Sequence, residues 1–229
     1  MPYSKVKWIT IDAGGTLLFP DPSVGAIYAE VLEDHGLKAD PDDLQAAFLR
    51  VWQEDVRRCA PEVTPASERK RWRSVIDRTF IDFHDQVDPD ALFDDLWEEF
   101  VRPTRWRTAQ AAENTLEELR ARGYKLAILS NWDERLRPLL SGMKLDRYFD
   151  QILVSVEVGF EKPDPQIFKI AEEKLGAAGN EILHIGDSHH HDVLGAKANG
   201  WLAIHAFADG SLKNGAQPIQ RFDELLTLL

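Results

Sequence analysis

Residues 8–17, WITIDAGGTL, run a short apolar stretch into a carboxylate, Asp12, and then directly into a glycine turn. Val6 to Ile11 suit a β-strand, which leaves Asp12 at its C-terminal end. The next residues, AGGTLLFPDP at 13–22, are turn material. What lies on either side decides the fold. After Pro103 a helix over about Ala112 to Arg122 stops at Gly123, and KLAILSN, QILVSVE, EILHIGD and WLAIHAF follow as strands at helix-length intervals. Helices are expected near Leu136–Met143, Pro165–Leu175 and Asp192–Asn199, the first starting late or kinking because of Pro138. Strand and helix in alternation predict an α/β fold, a Rossmann-like, doubly wound parallel sheet.

Between Pro20 and Pro103 the pattern is different. Four amphipathic segments carry apolar residues at helical spacing: Ile27, Val31 and Leu32; then Leu44, Phe48, Val51, Trp52 and Val56; then Trp72, Ile76, Phe80 and Phe83; then Leu92, Phe93, Leu96, Trp97 and Phe100. Gly36 suits the end of the first, and Asp40-Pro41 opens the second as an N-cap followed by proline. With no strand among them, these segments predict a four-helix insertion at 20–103, and a core domain assembled from 1–19 and 104–229. Trp52, Trp72 and Trp97 read as core of that insertion. Its arginines, Arg57, Arg58, Arg69, Arg71 and Arg73, read as a solvated face.

The composition excludes some partners. Across 229 residues the net charge is -12, which disfavours nucleic acid or an anionic membrane surface, since both need clustered Lys and Arg. A locally positive pocket for one small anion remains compatible. The single cysteine, Cys59, has no intrachain partner for a disulfide and reads as a small buried apolar residue. The residues before the first strand hold no apolar leader core, and no segment reaches the roughly 18 apolar residues of a membrane span, so a cytoplasmic monomer or homodimer is expected.

In a parallel sheet the polar residues at the carboxyl ends of strands converge on one crevice. Here those ends supply Asp12; Ser130 and Asn131; Lys162 in VEVGFEKPDP; and Asp187 and Asp192 in GDSHHHD. Three carboxylates with a lysine and a hydroxyl can hold a hard divalent cation such as Mg²⁺ against a phosphoryl group. Ser130, Lys162 and backbone N–H groups would orient the remaining phosphate oxygens. A carboxylate is also a competent nucleophile, forming an aspartyl-phosphate that water later cleaves. His189, His190 and His191 are a second source of acid or base, but three consecutive residues on a short loop cannot all face one point.

Four motifs in order, IDAGGTL, AILSN, EKPDPQIF and HIGDSHHHD, resemble the haloacid dehalogenase-like (HAD) hydrolase superfamily, in the class with a helical cap inserted after the first motif. The likeness covers nearly the whole chain. Within that class LAILSNWDERL and the unusual first motif look most like the group containing HAD-like hydrolase domain-containing protein 3. The resemblance implies Asp12 as nucleophile, and Asp12, the carbonyl of Gly14, Asp187 and Asp192 as Mg²⁺ ligands. It further implies Ser130 and Asn131 at the phosphate, Lys162 stabilising charge on nucleophile and phosphate, and a cap that selects a small phosphorylated substrate.

The departure is at Gly14, where typical phosphatases of the family carry a second aspartate as general acid and base. Such a group is worth about 10² to 10⁴ in rate. The expected activity is therefore a Mg²⁺-dependent phosphatase favouring leaving groups that depart without protonation. Two alternatives stand beside it: a 2-haloacid dehalogenase-type hydrolase, in which the aspartate attacks carbon without a metal, and a catalytically impaired fold retained for binding or regulation.

Overall fold

The structure, a computed structural model, describes residues 3–55, 62–207 and 217–229. It divides into two compact units, Met1–Phe19 with Thr108–Leu229, and Pro20–Arg107. Strand β1 (Trp8–Ile11) opens the first unit, and β2 (Leu18–Pro20) leads into the second. There the chain forms α1 (Val24–Asp34), α2 (Pro41–Asp55), α3 (Pro65–Thr79) and α4 (Pro89–Glu99), before β3 (Trp106–Thr108), which pairs with β2, brings it back. The caps are those the local residues favour. Ser23, Thr64 and Asp88 each accept main-chain N–H bonds at the start of α1, α3 and α4, and Asp40 accepts from Asp42 N as α2 opens.

The helical unit is held by an aromatic core. Tyr28 meets Phe48, Phe80 and Phe100 at ring separations of 5.9, 5.2 and 5.8 Å, and Leu32, Leu96 and Val75 are fully buried beside them. Trp52 and Trp72 stack at 5.2 Å on the margin of this core, and Trp97 is buried within it. Arg69 spans from Asp94 to the faces of Phe93 and Trp97, Arg71 pairs with buried Asp55, and Arg73 pairs with Asp77 and Asp90. These arginines are thus ion-paired rather than simply solvated. Cys59, Val56, Arg57 and Arg58 lie outside the described residues.

In the α/β unit the chain continues through α5 (Ala112–Ala121), β4 (Lys125–Ser130), α6 (Leu136–Gly142), β5 (Gln151–Val154), α7 (Ser155–Val158) and α8 (Pro165–Leu175). Then come β6 (Ile182–Gly186), a wide π-helical turn over His189–Leu194, α9 (Gly195–Ala198), β7 (Leu202–Ala206), β8 (Gln217–Ile219) and α10 (Leu225–Leu228). Among the described residues the sheet has six strands, all parallel, in the order β5-β4-β1-β6-β7-β8. Every residue of β1 and β6 is buried, as expected of strands covered on both faces. One face packs Leu129, Leu153 and Ile182 against Ile167, Phe168 and Ala171 of α8 and Ala196 of α9.

Three local expectations are corrected. Helix α6 starts on time at Leu136, because Pro138 falls in its first turn, where an N–H has no intrahelical partner to lose. QILVSVE is strand only to Val154; Ser155–Val158 turns helical, with the Ser155 hydroxyl and Val156 N both bonding Trp132 O. The segment after Asp187 is a π turn, then a short α-helix, instead of a single α-helix from Asp192.

Candidate active site

The order of the sheet sets β1 between β4 and β6, so the residues following these three strands share one end of the sheet. Asp12 follows β1. Ser130 closes β4, with its Oγ accepting from Ala13 N at 3.4 Å. Asp187 follows β6, and Asp192 returns from the π turn.

Lys162 joins them. Its Nζ donates to Asp12 Oδ1 at 2.8 Å, to Asp192 Oδ1 at 2.6 Å and to Leu129 O at 2.8 Å, which uses all three ammonium protons. The loop carrying it is fixed by Asn131: Asn131 Nδ2 donates to Lys162 O at 2.8 Å and Lys162 N donates to Asn131 Oδ1 at 2.7 Å. Both ends of the Asn131 amide are engaged with the main chain of Lys162, so its contacts hold the lysine loop.

Asp192 is the most tightly bonded carboxylate. Oδ1 also accepts from His184 Nε2 at 3.0 Å, and Oδ2 accepts from Ser188 N at 2.9 Å. Burial works against its charge, but Lys162 and His184 outweigh it and hold Asp192 well below the usual carboxylate range. Since Asp192 only accepts, the His184 proton belongs on Nε2, and Nδ1 takes the Thr10 hydroxyl at 2.9 Å. Burial, then the Lys162 ammonium, push this imidazole down, so it is a neutral ring. Thr10 and His184 face each other because the β1–β6 register pairs them directly.

For Lys162, burial is opposed by the charges of Asp12 and Asp192, which leave its pKa raised. Asp12 is raised by burial despite Lys162. Its side chain retains 11% exposure, which leaves it reachable from outside.

Asp187 Oδ1 accepts the Thr16 hydroxyl at 3.1 Å, and Asp187 N donates back to Thr16 Oγ1 at 3.0 Å. Although exposed on one side, Asp187 is pushed up to about 7 by the protein packed on the other, by Asp12 and by Asp192. Two glycines make this proximity sterically feasible. At Gly15, whose φ is +78°, a Cβ would lie 2.7 Å from Asp187 Oδ2; at Gly186 it would lie 2.1 Å from Asp192 Cγ.

Asp12, Asp187 and Asp192 each offer a carboxylate oxygen, all within 4.8 Å of one another. Oxygen donors that dense fit a hard cation such as Mg²⁺, which needs one or two carboxylates and keeps water in its remaining positions. Three carboxylates facing one lysine are otherwise short of positive charge. Gly14 lies in the turn above Asp12 and bridges to Leu18.

The three histidines diverge. His190 is exposed, and His191 Nδ1 meets Ser188 Oγ at 3.2 Å. The His189 ring lies 5.7 Å from that of His205, which in turn bonds Asp187 O at 2.8 Å.

Thr10, Thr16 and His184 were not singled out from the sequence. A lone histidine in the apolar strand EILHIGD was the available signal, but its partner Thr10 stands 174 residues away.

The haloacid dehalogenase-like hydrolase family model matches residues 6–200. The mouse (Mus musculus) haloacid dehalogenase-like hydrolase domain-containing protein 3 is 31% identical over 94% of this chain and 84% of its own. A phosphoserine phosphatase of Thermus thermophilus is 31% identical over 87% of this chain and 88% of its own. Among solved structures, the HAD hydrolase YfnB of Bacillus subtilis, bound to magnesium, superposes with a TM-score of 0.78 at 19% identity, over 98% of both chains.

Proposed function

Because this chain belongs to the haloacid dehalogenase-like hydrolases, we propose that it is a Mg²⁺-dependent phosphatase acting on a small phosphorylated metabolite through Asp12. The observation carrying this reading is the Lys162 clamp: one buried ammonium holding Asp12 Oδ1 and Asp192 Oδ1, with Asp187 completing a three-carboxylate cluster. A nucleophilic carboxylate must be ionised, oriented and next to positive charge. Lys162 supplies the last two, and opposes the rise that burial imposes on Asp12.

Asp12, Asp187, Asp192 and the Gly14 carbonyl would hold Mg²⁺, which neutralises phosphate charge when bound. An Asp12 oxygen attacks phosphorus, and the bond to the leaving oxygen breaks with its electron pair going to the leaving group. Water then attacks the aspartyl-phosphate and returns Asp12 as carboxylate, releasing inorganic phosphate. Ser130, held beside Ala13 N, supports the transferring group. Gly14 offers no proton to the leaving oxygen, so substrates whose leaving group is a weak base turn over best. The helical unit Pro20–Arg107 would serve as the cap that selects among them. The relative from Thermus thermophilus, a phosphoserine phosphatase, lends support to phosphoryl chemistry.

The test is steady-state hydrolysis of acetyl phosphate and p-nitrophenyl phosphate with and without Mg²⁺. Turnover should require the metal and fall by about 10⁴-fold or more in Asp12→Asn, the scale seen when a nucleophile is removed. Full activity of Asp12→Asn overturns the mechanism. Metal-independent halide release from 2-chloropropionate would replace it with carbon attack by the same aspartate.

A further inference from the structure

The place of the absent acid is crowded by an aromatic edge. A Cβ on Gly14 would lie 3.1 Å from Trp132 Cζ3 and 3.8 and 3.9 Å from Cε3 and Cη2, so the edge of the indole crowds the first atom of any side chain at position 14. Gly14 has no positive φ, so the ring, and not the backbone, is what opposes a side chain there.

The indole is carried on an anchored loop. Trp132 N donates to Ser155 Oγ at 3.0 Å, and Trp132 O accepts from the Ser155 hydroxyl at 3.0 Å and from Val156 N at 3.3 Å. On one side Asn131 is locked to the main chain of Lys162. On the other, Asp133 is fully buried, accepting from Arg135 N and Nε at 3.0 and 2.9 Å through Oδ1, and from Arg135 Nη2 at 2.7 Å through Oδ2. Retreat of the ring would have to come from its own χ angles, because the main chain of Trp132 is tied at both its N–H and its C=O, and the side chains of Asn131 and Asp133 on either side are bonded in turn.

We infer that Trp132 is a specificity-determining residue for the reaction at Asp12, and that its indole edge favours a flat aromatic leaving group, making aryl phosphates the preferred substrate class. The inference rests on the phosphatase reading. Two independent features converge on it. Position 14 gives no proton, which suits phenolate-type leaving groups; and the surface beside it is the Cζ3 edge of a half-buried indole, which suits an edge-to-face contact with an aromatic ring. A short acyl leaving group meets the first condition and gains nothing from the second.

That difference supplies the test. Acetyl phosphate and p-nitrophenyl phosphate both carry good leaving groups, and only the second carries a ring. In Trp132→Leu the ratio of kcat/KM for p-nitrophenyl phosphate to that for acetyl phosphate should drop about threefold to tenfold, and Trp132→Phe should retain it. The native enzyme should bind phenylphosphonate about threefold or more tighter than methylphosphonate, a comparison independent of any variant's folding. Gly14→Asp alone should gain nothing on an alkyl phosphate, whereas Gly14→Asp combined with Trp132→Ala should gain about 10²-fold, the low end for a positioned acid. An unchanged substrate ratio in Trp132→Leu, or equal binding of the two phosphonates, overturns the assignment of Trp132 and leaves the phosphatase standing. Absence of Asp12-dependent turnover in the native enzyme, with no binding of either phosphonate, overturns the phosphatase reading and this inference together.

Discussion

The two units of the molecule differ in how their polar side chains are joined. In the helical unit Arg69, Arg73 and Arg78 pair with carboxylates at the surface and Arg71 pairs with buried Asp55, over a core of Tyr28, Phe48, Phe80 and Leu96. In the α/β unit Thr10, Asp12, Thr16, Ser130, Lys162, His184 and Asp192 are all buried; Thr10, His184, Asp192, Lys162 and Asp12 are bonded in series, Thr16 bonds Asp187, and Ser130 accepts from Ala13 N. Burying ions is costly unless every donor and acceptor is matched, and unmatched groups are correspondingly expensive. The lesson is that stability and site geometry are inseparable in the α/β unit, while the helical unit rests on apolar packing that can be altered without touching the chemistry.

The largest test of that contrast is Lys162→Met. It leaves Asp12 and Asp192 buried without their cation, and should lower stability by about 3–5 kcal/mol as well as abolish turnover. Urea denaturation at pH 5 and pH 8 checks the cause, because protonation of the stranded carboxylates should shrink the loss at the lower pH. Phe80→Ala should cost the helical unit about 3 kcal/mol or more through the cavity it leaves beside Tyr28, read as a lower urea midpoint. Mg²⁺ affinity should be unchanged in that variant; a loss of metal binding there would break the distinction between the units.

A third test uses pH. The Asp187 carboxyl, raised to about 7 in the fold, binds a proton more readily than in the unfolded chain. Its favourable contribution to the metal-free protein is therefore complete below its unfolded value near 3.9 and lost as pH rises through about 7. Mg²⁺ needs the deprotonated form, so its stabilisation should grow from pH 6 to pH 8, reaching about 2.7 kcal/mol at a hundredfold excess over Kd. Thermal unfolding with and without Mg²⁺ across that range measures it; a stabilisation that falls with pH would contradict the assigned cluster. The smallest effect belongs to Arg78→Ala in the helical unit. Its partly exposed pair with Glu54 should be worth less than about 1 kcal/mol, and a larger loss in the urea midpoint would show that surface ion pairs there do more than described.

Much of this architecture was legible along the chain. The alternation of apolar strands and amphipathic helices determined the parallel sheet, and the polar residue at each strand end marked Asp12, Ser130, Lys162, Asp187 and Asp192 as neighbours, because parallel strands bring their carboxyl ends to one edge. What tertiary structure decided is how those residues share their hydrogen bonds. Thr10 meets His184 only because β1 and β6 pair in one register, Asn131 turns to Lys162 only because two loops meet, and Trp132 covers Gly14 only because its own loop is tied to Ser155. Periodicity is a local property read within a few residues, whereas these contacts join groups from 23 to 174 residues apart, and their partners are selected by packing.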